Sequence, residues 1–201
     1  MFVLDSSGSI DRARFSTIKE KVVTVVNDLD VRMDRTRVGL IYWSNEAFVA
    51  FNMNDYGQVK QDVVEAIRRV PYLGNMTHTA AALRLLRNTA FRRQNGDRDG
   101  VLNVAVVVGD GNSNVEEDMT PVEAALCRMN GIRMVVAVIY DDQVDISELA
   151  TIASRPLSEN LLMSSTHHLV DNVTTALIAA TCDGIDFLYS RLNALIFVSF
   201  L

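Results

Sequence analysis

Three observations predict an α/β fold: a doubly wound, mostly parallel six-stranded sheet with one antiparallel edge strand and helices on both faces. Short apolar runs alternate along the chain with amphipathic stretches of helical period. The strongest run, residues 101–108, is rich in valine and apolar on both faces, as a strand inside a parallel sheet must be. Polar turns containing glycine follow both the first run and this strongest one, at the strand ends where open α/β sheets bind ligands.

The elements follow in order. Met1-Phe2-Val3-Leu4 is a core strand, Asp5-Ser6-Ser7-Gly8-Ser9 a polar turn, and residues 12–29 a helix with Phe15, Ile18, Val22, Val25, Val26 and Leu29 on one face. Residues 38–43 read as a buried strand, Ser44-Asn45-Glu46 as a turn and residues 47–51 as a returning strand. So short a connection permits only an antiparallel hairpin. A helix over 56–70 carries Val59, Val63, Ile67 and Val70 in register and stops at Pro71. The polar loop Gly74-Asn75-Met76-Thr77-His78-Thr79 then leads into a helix over 80–90.

After the central strand and its Gly109-Asp110-Gly111 turn come a helix over 119–129 with Pro121 in its first turn, and a strand over 133–140. A short helix over 146–153, a short strand over 161–164 and a closing helix over 169–180 complete the pattern. Met119, Met129 and Met134 read as core filling. Residues 1–182 form one domain by this reading, and residues 183–201 are a tail with no place in the sheet.

The 201 residues carry a net charge of -6 and are 49% hydrophobic and 22% charged, which suits one globular domain and argues against a general nucleic-acid binder. Arg84, Arg87, Arg92, Arg93 and Arg98 form a local basic stretch, read as a solvated face rather than an anion site. Cys127 and Cys182 are too few for a disulfide framework and are not spaced as a zinc motif. The last ten residues are mostly apolar but fall short of the ~20 needed to span a bilayer, so no membrane insertion is expected.

Asp5, Ser7 and Ser9 alternate along the first turn, so three oxygen-bearing side chains can converge on one point while Ser6 and Gly8 shape the turn. Thr77 and Asp110 add oxygen donors on two further loops. Such donors suit a hard cation such as Mg²⁺, with Mn²⁺ as a substitute. The bland reading of Asp-x-Ser-x-Ser alone is a helix-entry turn. His78 reads as an exposed loop residue, and His167 and His168 as structural.

Enzyme readings find little support. Asp5 has Ser7 where a phosphotransfer site would need a second acid, and no nucleophile elbow, Ser-His-acid set or phosphate-binding Gly-Lys loop is present.

Residues 2–10, the Gly-x-x-Thr-x-Thr loop at 74–79 and the Val-Val-Gly-Asp-Gly turn at 107–111 together resemble, in order and spacing, a von Willebrand factor type A domain with its metal-ion-dependent adhesion site. The resemblance implies Ser7, Ser9 and Thr77 as direct Mg²⁺ ligands, Asp5 and Asp110 acting through water, and an open position for a partner's carboxylate. It implies partner contacts around Ser6, Gly8, Asn75, His78, Gly111 and Asn112. The partner expected is an extracellular matrix or cell-surface protein presenting Glu or Asp, collagen among them.

The protein would accordingly be a secreted adhesion module and not an enzyme. The other readings are a structural matrix domain with a vestigial metal site and an intracellular module of a chelatase-like assembly. Gly109 stands where the family usually has Thr. Cys182 matches a family cysteine that pairs with one before the first strand, which suggests a sequence truncated at its N-terminus. Asn75-Met76-Thr77 and Asn172-Val173-Thr174 match the glycosylation pattern, and a glycan on Asn75 would obstruct the metal.

Overall fold

The computed structural model describes residues 1–139 and 144–164, together with Val173 and Thr175. Six strands, β1 (Phe2–Asp5), β2 (Leu40–Trp43), β3 (Ala47–Phe51), β4 (Asn103–Val108), β5 (Ile132–Ile139) and β6 (Leu161–Ser164), form one sheet in the order β3-β2-β1-β4-β5-β6. Five strands are parallel, and β3 runs antiparallel to β2 at the edge. The predicted fold class is therefore observed, with β1 and β4 at the centre.

Alternation along the strands divides the core in two. Phe2, Leu4, Val106 and Val108 face α1 (Arg12–Asp28) and α2 (Lys60–Arg69), and Val173 joins that cluster. Val3, Ile41, Trp43 and Val107 face α3 (Thr79–Leu85), α4 (Thr120–Met129) and α5 (Ile146–Ile152). Fully burying a Val, Leu or Ile side chain contributes roughly 1.5–3 kcal/mol, so both faces of the sheet are strongly held. Asp11 caps α1 by accepting the Arg14 N–H at 2.8 Å, which fixes where the first turn ends and the helix begins.

Several boundaries differ from the sequence reading, each for a local reason. Residues 55–58 form a tight turn instead of the first turn of α2, because Tyr56, Gly57 and Gln58 take φ values of 57°, 56° and 53°. The turn carries the buried Gln58 side chain to Val38, where it accepts the N–H at 2.6 Å and donates to the C=O at 3.0 Å. With those groups taken, β2 starts at Leu40 and not at Val38. Val101 and Leu102 are exposed, and β4 starts at Asn103. The expected 80–90 helix is α3 followed by a wide π turn, Leu86–Ala90.

A four-residue helix, α6 (Leu157–Asn160), precedes β6. Met134 is buried as expected, but Met129 is 81% exposed: two residues beyond the buried Cys127, it lies on the opposite side of α4. Cys127 itself is a free thiol in the core, and burial pushes it up to about 11. The expected closing helix, His167, His168, Asn172, Cys182 and the tail 183–201 lie outside the described residues. Among the described residues no helix is long and apolar enough to cross a membrane.

Within the basic stretch Arg93 lies on a solvated face as expected, but Arg84 and Arg87 do not. Arg84 and Arg87 both bond the carboxylate of Glu123, whose side chain is only 5% exposed, at 2.9 Å each, and Arg84 also reaches Glu116 at 3.0 Å. Arg93 pairs with Asp99, and Arg98 donates to the Arg35 carbonyl. Glu123 thus joins α3 to α4. Glu123→Ala is expected to destabilise the fold by about 2 kcal/mol, below the roughly 3–5 kcal/mol of a fully buried broken pair because both arginines still reach water. Urea unfolding checks this.

Candidate metal centre

The chain leaves β1 towards β2 on one side, and β4 later pairs with β1 on the other. The carboxyl ends of β1 and β4 therefore flank the crevice of a topological switch point. Asp5 is the last residue of β1, and Gly109-Asp110 directly follows β4. Parallel pairing in register, Leu4 beside Val108, brings the first and third polar turns side by side.

Within the first turn, Asp5 Oδ1 accepts the Ser7 N–H at 2.8 Å, and the Ser7 and Ser9 hydroxyls lie 3.0 Å apart. Asp5, Ser6 and Ser7 are buried, whereas Gly8 and Ser9 are exposed, so the donor set runs from the sheet outwards to solvent. A Cβ built on Gly109 would stand 3.3 Å from Asp5 Oδ2 and 3.5 Å from the Trp43 ring. Gly109 lets the third loop pass close over the Asp5 carboxylate.

The second loop is tied to the first by backbone. Gly8 N–H donates to the Asn75 carbonyl at 2.7 Å, and Gly74 N–H to the Ser6 carbonyl at 2.8 Å. Ser6 Oγ accepts the Leu73 N–H at 2.8 Å. Ser44, in the β2–β3 turn, donates its hydroxyl to Met76 C=O at 2.8 Å, accepts the Asn75 N–H at 3.1 Å, and takes the His78 N–H on its carbonyl at 2.8 Å. Asn114 joins the second loop to the third: its Oδ1 accepts the Thr77 N–H at 2.9 Å and its N–H donates to the Thr77 carbonyl at 3.0 Å. Thr77 is buried by these contacts, and an open depression lined by Gly8, Ser9, Asn45, Asn75, Met76, Thr77 and Asn114 lies beside it.

The third loop is anchored from behind. Asp110 Oδ1 accepts the Asn112 N–H at 3.1 Å, and its backbone carbonyl accepts the Asp145 N–H at 2.8 Å. Ser113 donates both its N–H, at 3.0 Å, and its hydroxyl to Glu148. Of the residues expected to face a partner, Gly8 and Asn75 are exposed, but Ser6 and Gly111 are buried and shape their loops from within. His78 is half-buried, not exposed, with Nδ1 3.2 Å from the Asn45 carbonyl and Nε2 3.3 Å from Glu116.

Electrostatics favour a cation here. Burial is the main cause that pushes the Asp5 carboxyl up from 3.8 to about 7, helped by the nearby Asp110 and Glu148 and opposed by the Ser7 hydrogen bonds. Among the described residues no cationic side chain pairs with Asp5. Burial also raises Glu148. A divalent ion beside Asp5 would compensate this desolvated charge. The donors are hydroxyls and carboxylates, suited to Mg²⁺ or Mn²⁺; among the described residues no group of three or more His, Cys, Asp or Glu gathers that could hold a metal, so the hydroxyls would have to supply ligands.

Sequence reasoning missed Ser44, Ser113, Asn114, Asp145 and Glu148. Ser113 and Asn114 sit just beyond the Gly-Asp-Gly turn and were open to notice. Ser44 looked like an ordinary turn serine, and Glu148 carries no local signal because its partner is 35 residues away.

Comparison with known proteins bears on this centre. Residues 1–175 match the family model for the von Willebrand factor type A domain. The collagen alpha-4(VI) chain of Mus musculus is 30% identical over 188 residues, covering 92% of this chain and 8% of that protein. Matrilin-4 of Mus musculus is 30% identical over 173 residues, 85% of this chain and 27% of that one, and matrilin-1 of Gallus gallus is 28% identical over 182 residues, 90% and 36%. The chain thus spans well under half the length of these relatives. Proximal thread matrix protein 1 from the mussel byssus shares the fold, with a TM-score of 0.77 at 21% identity over 90% of this chain and 47% of that one. Another structure of that mussel protein, with a TM-score of 0.75 at 20% identity over 87% of this chain and 46% of that one, has zinc in its metal-ion-dependent adhesion motif.

Proposed function

The chain belongs to the von Willebrand factor type A family, and we propose that it works as a divalent-metal-dependent protein-binding module of a secreted matrix protein. The observation that carries this reading is the buried, cation-less Asp5 directly behind the paired hydroxyls of Ser7 and Ser9. Ser7, Ser9 and Thr77 would hold Mg²⁺, or Mn²⁺, with Asp5 and Asp110 one shell back. A metal so held supplies an electrophilic position for a Glu or Asp of the partner. The collagen VI and matrilin relatives, and the zinc-bearing motif of the mussel protein, support a matrix setting and a metal at this place.

The chain's own residues do the remaining work. The backbone bonds of Gly8, Gly74 and Asn114 hold three loops in one arrangement before any partner arrives, so little ordering is left for binding. Met76, 57% exposed beside the depression, offers an apolar contact next to the carboxylate position. Met76→Ala is expected to weaken partner binding about threefold to tenfold and leave metal affinity unchanged; parallel partner and metal titrations check this.

The test of function is capture of the chain on immobilised collagens and other matrix proteins in Mg²⁺ and in EDTA. Binding should be lost in EDTA, and equally in Thr77→Ala and Asp110→Ala, both of which should stay folded. Binding that survives the chelator and both substitutions would overturn the reading in favour of a structural domain.

A further inference from the structure

We propose that Glu148 is a positioning residue of the metal centre, holding the Asp110 loop in place from α5 through Ser113. The inference rests on the metal-centre reading above and assigns a role to a residue outside the five-residue donor set.

Glu148 accepts both hydrogens that Ser113 can offer, the N–H at 3.0 Å and the hydroxyl. A serine hydroxyl has one hydrogen and an ionised carboxylate can only accept, so with that hydrogen on Glu148 the Ser113 oxygen accepts from Thr79, 2.5 Å away. The direction of the chain is therefore Thr79 to Ser113 to Glu148. Thr79 lies two residues after Thr77, and Ser113 three after Asp110, so one carboxylate steadies donors on two different loops.

The position of Glu148 in its helix excludes a simpler role. Asp145 is the N-cap of α5, accepting the Ser147 N–H at 2.9 Å and the Glu148 N–H at 3.2 Å, and Glu148 is the third helical residue. In a capping box a glutamate at that place turns back to the N–H of the cap residue. Here the Asp145 N–H is spent on the Asp110 carbonyl at 2.8 Å, and the Glu148 side chain turns outwards from the helix to Ser113. Helix and loop are joined by two contacts three residues apart, one at the cap residue Asp145 and one at Glu148. Leu149 and Ile152 bury α5 in the core, which makes it a firm anchor.

The experiment uses the 201-residue chain and Mn²⁺ as the probe, with calorimetric titration and thermal unfolding in EDTA for the native chain, Glu148→Gln, Ser113→Ala and the double variant. Glu148→Gln should weaken Mn²⁺ binding about tenfold, the size found when a partner behind a metal ligand is lost. Its metal-free melting temperature should not fall. Ser113→Ala should also weaken Mn²⁺, and the double variant should be no weaker than the worse single one, since both cut the same link.

Unchanged Mn²⁺ affinity in Glu148→Gln would overturn the inference, as would a weakening matched by a lower metal-free melting temperature. Additive losses would overturn it too, by showing that Glu148 acts through charge alone. If Glu148→Gln does not fold, Ser113→Ala decides by the same two readouts. A native chain that binds no Mn²⁺ would overturn the metal-centre reading itself, a result distinct from native binding with an indifferent Glu148.

Discussion

Asp5→Asn is expected to abolish divalent-metal binding and at the same time to make the metal-free protein more stable at pH 8. The two effects have one cause. Asp5 is 1% exposed, and its carboxyl is raised from 3.8 to about 7, chiefly by burial. In the metal-free native state Asp5 keeps its proton up to about pH 7, whereas the unfolded chain releases it near pH 4. Between those values the native state binds more protons, so the Asp5 contribution to stability falls as pH rises and is fully lost above about pH 7. The shift from 3.8 to about 7 corresponds to a cost of roughly 4 kcal/mol at pH 8, on the order of 1.36 kcal/mol per pH unit.

Asparagine removes the charge and can still accept the Ser7 N–H, so most of that cost should disappear. Urea unfolding in EDTA at pH 5 and pH 8, for the native chain and Asp5→Asn, checks this: the difference between them should grow with pH. Added Mg²⁺ should narrow the gap at pH 8, stabilising only the native chain, by about 2.7 kcal/mol at a hundredfold excess over Kd. Equal pH dependence in the two proteins would contradict the account.

Gly111→Ala is expected to damage fold and centre together. Gly111 has a φ of +75°, and a Cβ there would lie 2.4 Å from the Asp145 carbonyl oxygen and 2.9 Å from Leu149. The left-handed backbone costs an alanine roughly 1–2 kcal/mol, and the clash is with main chain that cannot turn aside. The loop must move away from α5, which breaks the bond from Asp145 N–H to the Asp110 carbonyl. A destabilisation of about 2–4 kcal/mol should accompany at least a tenfold loss of metal affinity. Urea unfolding and Mn²⁺ titration of the same preparation check both halves.

These expectations depend on contacts of very different legibility in the sequence. The continuous apolar runs of β1 and β4, buried on both faces, and the period of three to four in α1, buried on one, can be read from residue order alone. The hairpin at Ser44-Asn45-Glu46 was legible because a three-residue connection leaves no other geometry. Asp5, Ser7, Ser9 and Asp110 could be singled out as candidate donors because oxygen side chains at or just past the ends of parallel strands have a physical meaning, and Thr77 because it lies in the polar loop before α3; their use as metal ligands is the proposal made above. The parallel register of β1 and β4 does bring the Asp5 and Asp110 turns side by side.

What escaped the sequence was decided by distant partners. Gln58 reads as part of a helix until Val38 is known to need its amide. Arg84 and Arg87 appear solvated until Glu123 is placed beneath them across a helix contact, and Met129 appears apolar and buried until the face of α4 is fixed by Cys127. Glu148 looks like an ordinary capping glutamate, and only the approach of Ser113 from the other side of the chain gives it a different use.

The most direct measurement is calorimetric titration of the 201-residue chain with Mg²⁺ at pH 7.5, beside Thr77→Ala. The native chain should bind one Mg²⁺, and Thr77→Ala should bind it at least tenfold more weakly while melting at the same temperature in EDTA. A native chain that takes up no Mg²⁺, or a Thr77→Ala variant that binds it as well as the native chain, would contradict a metal centre built on these three loops.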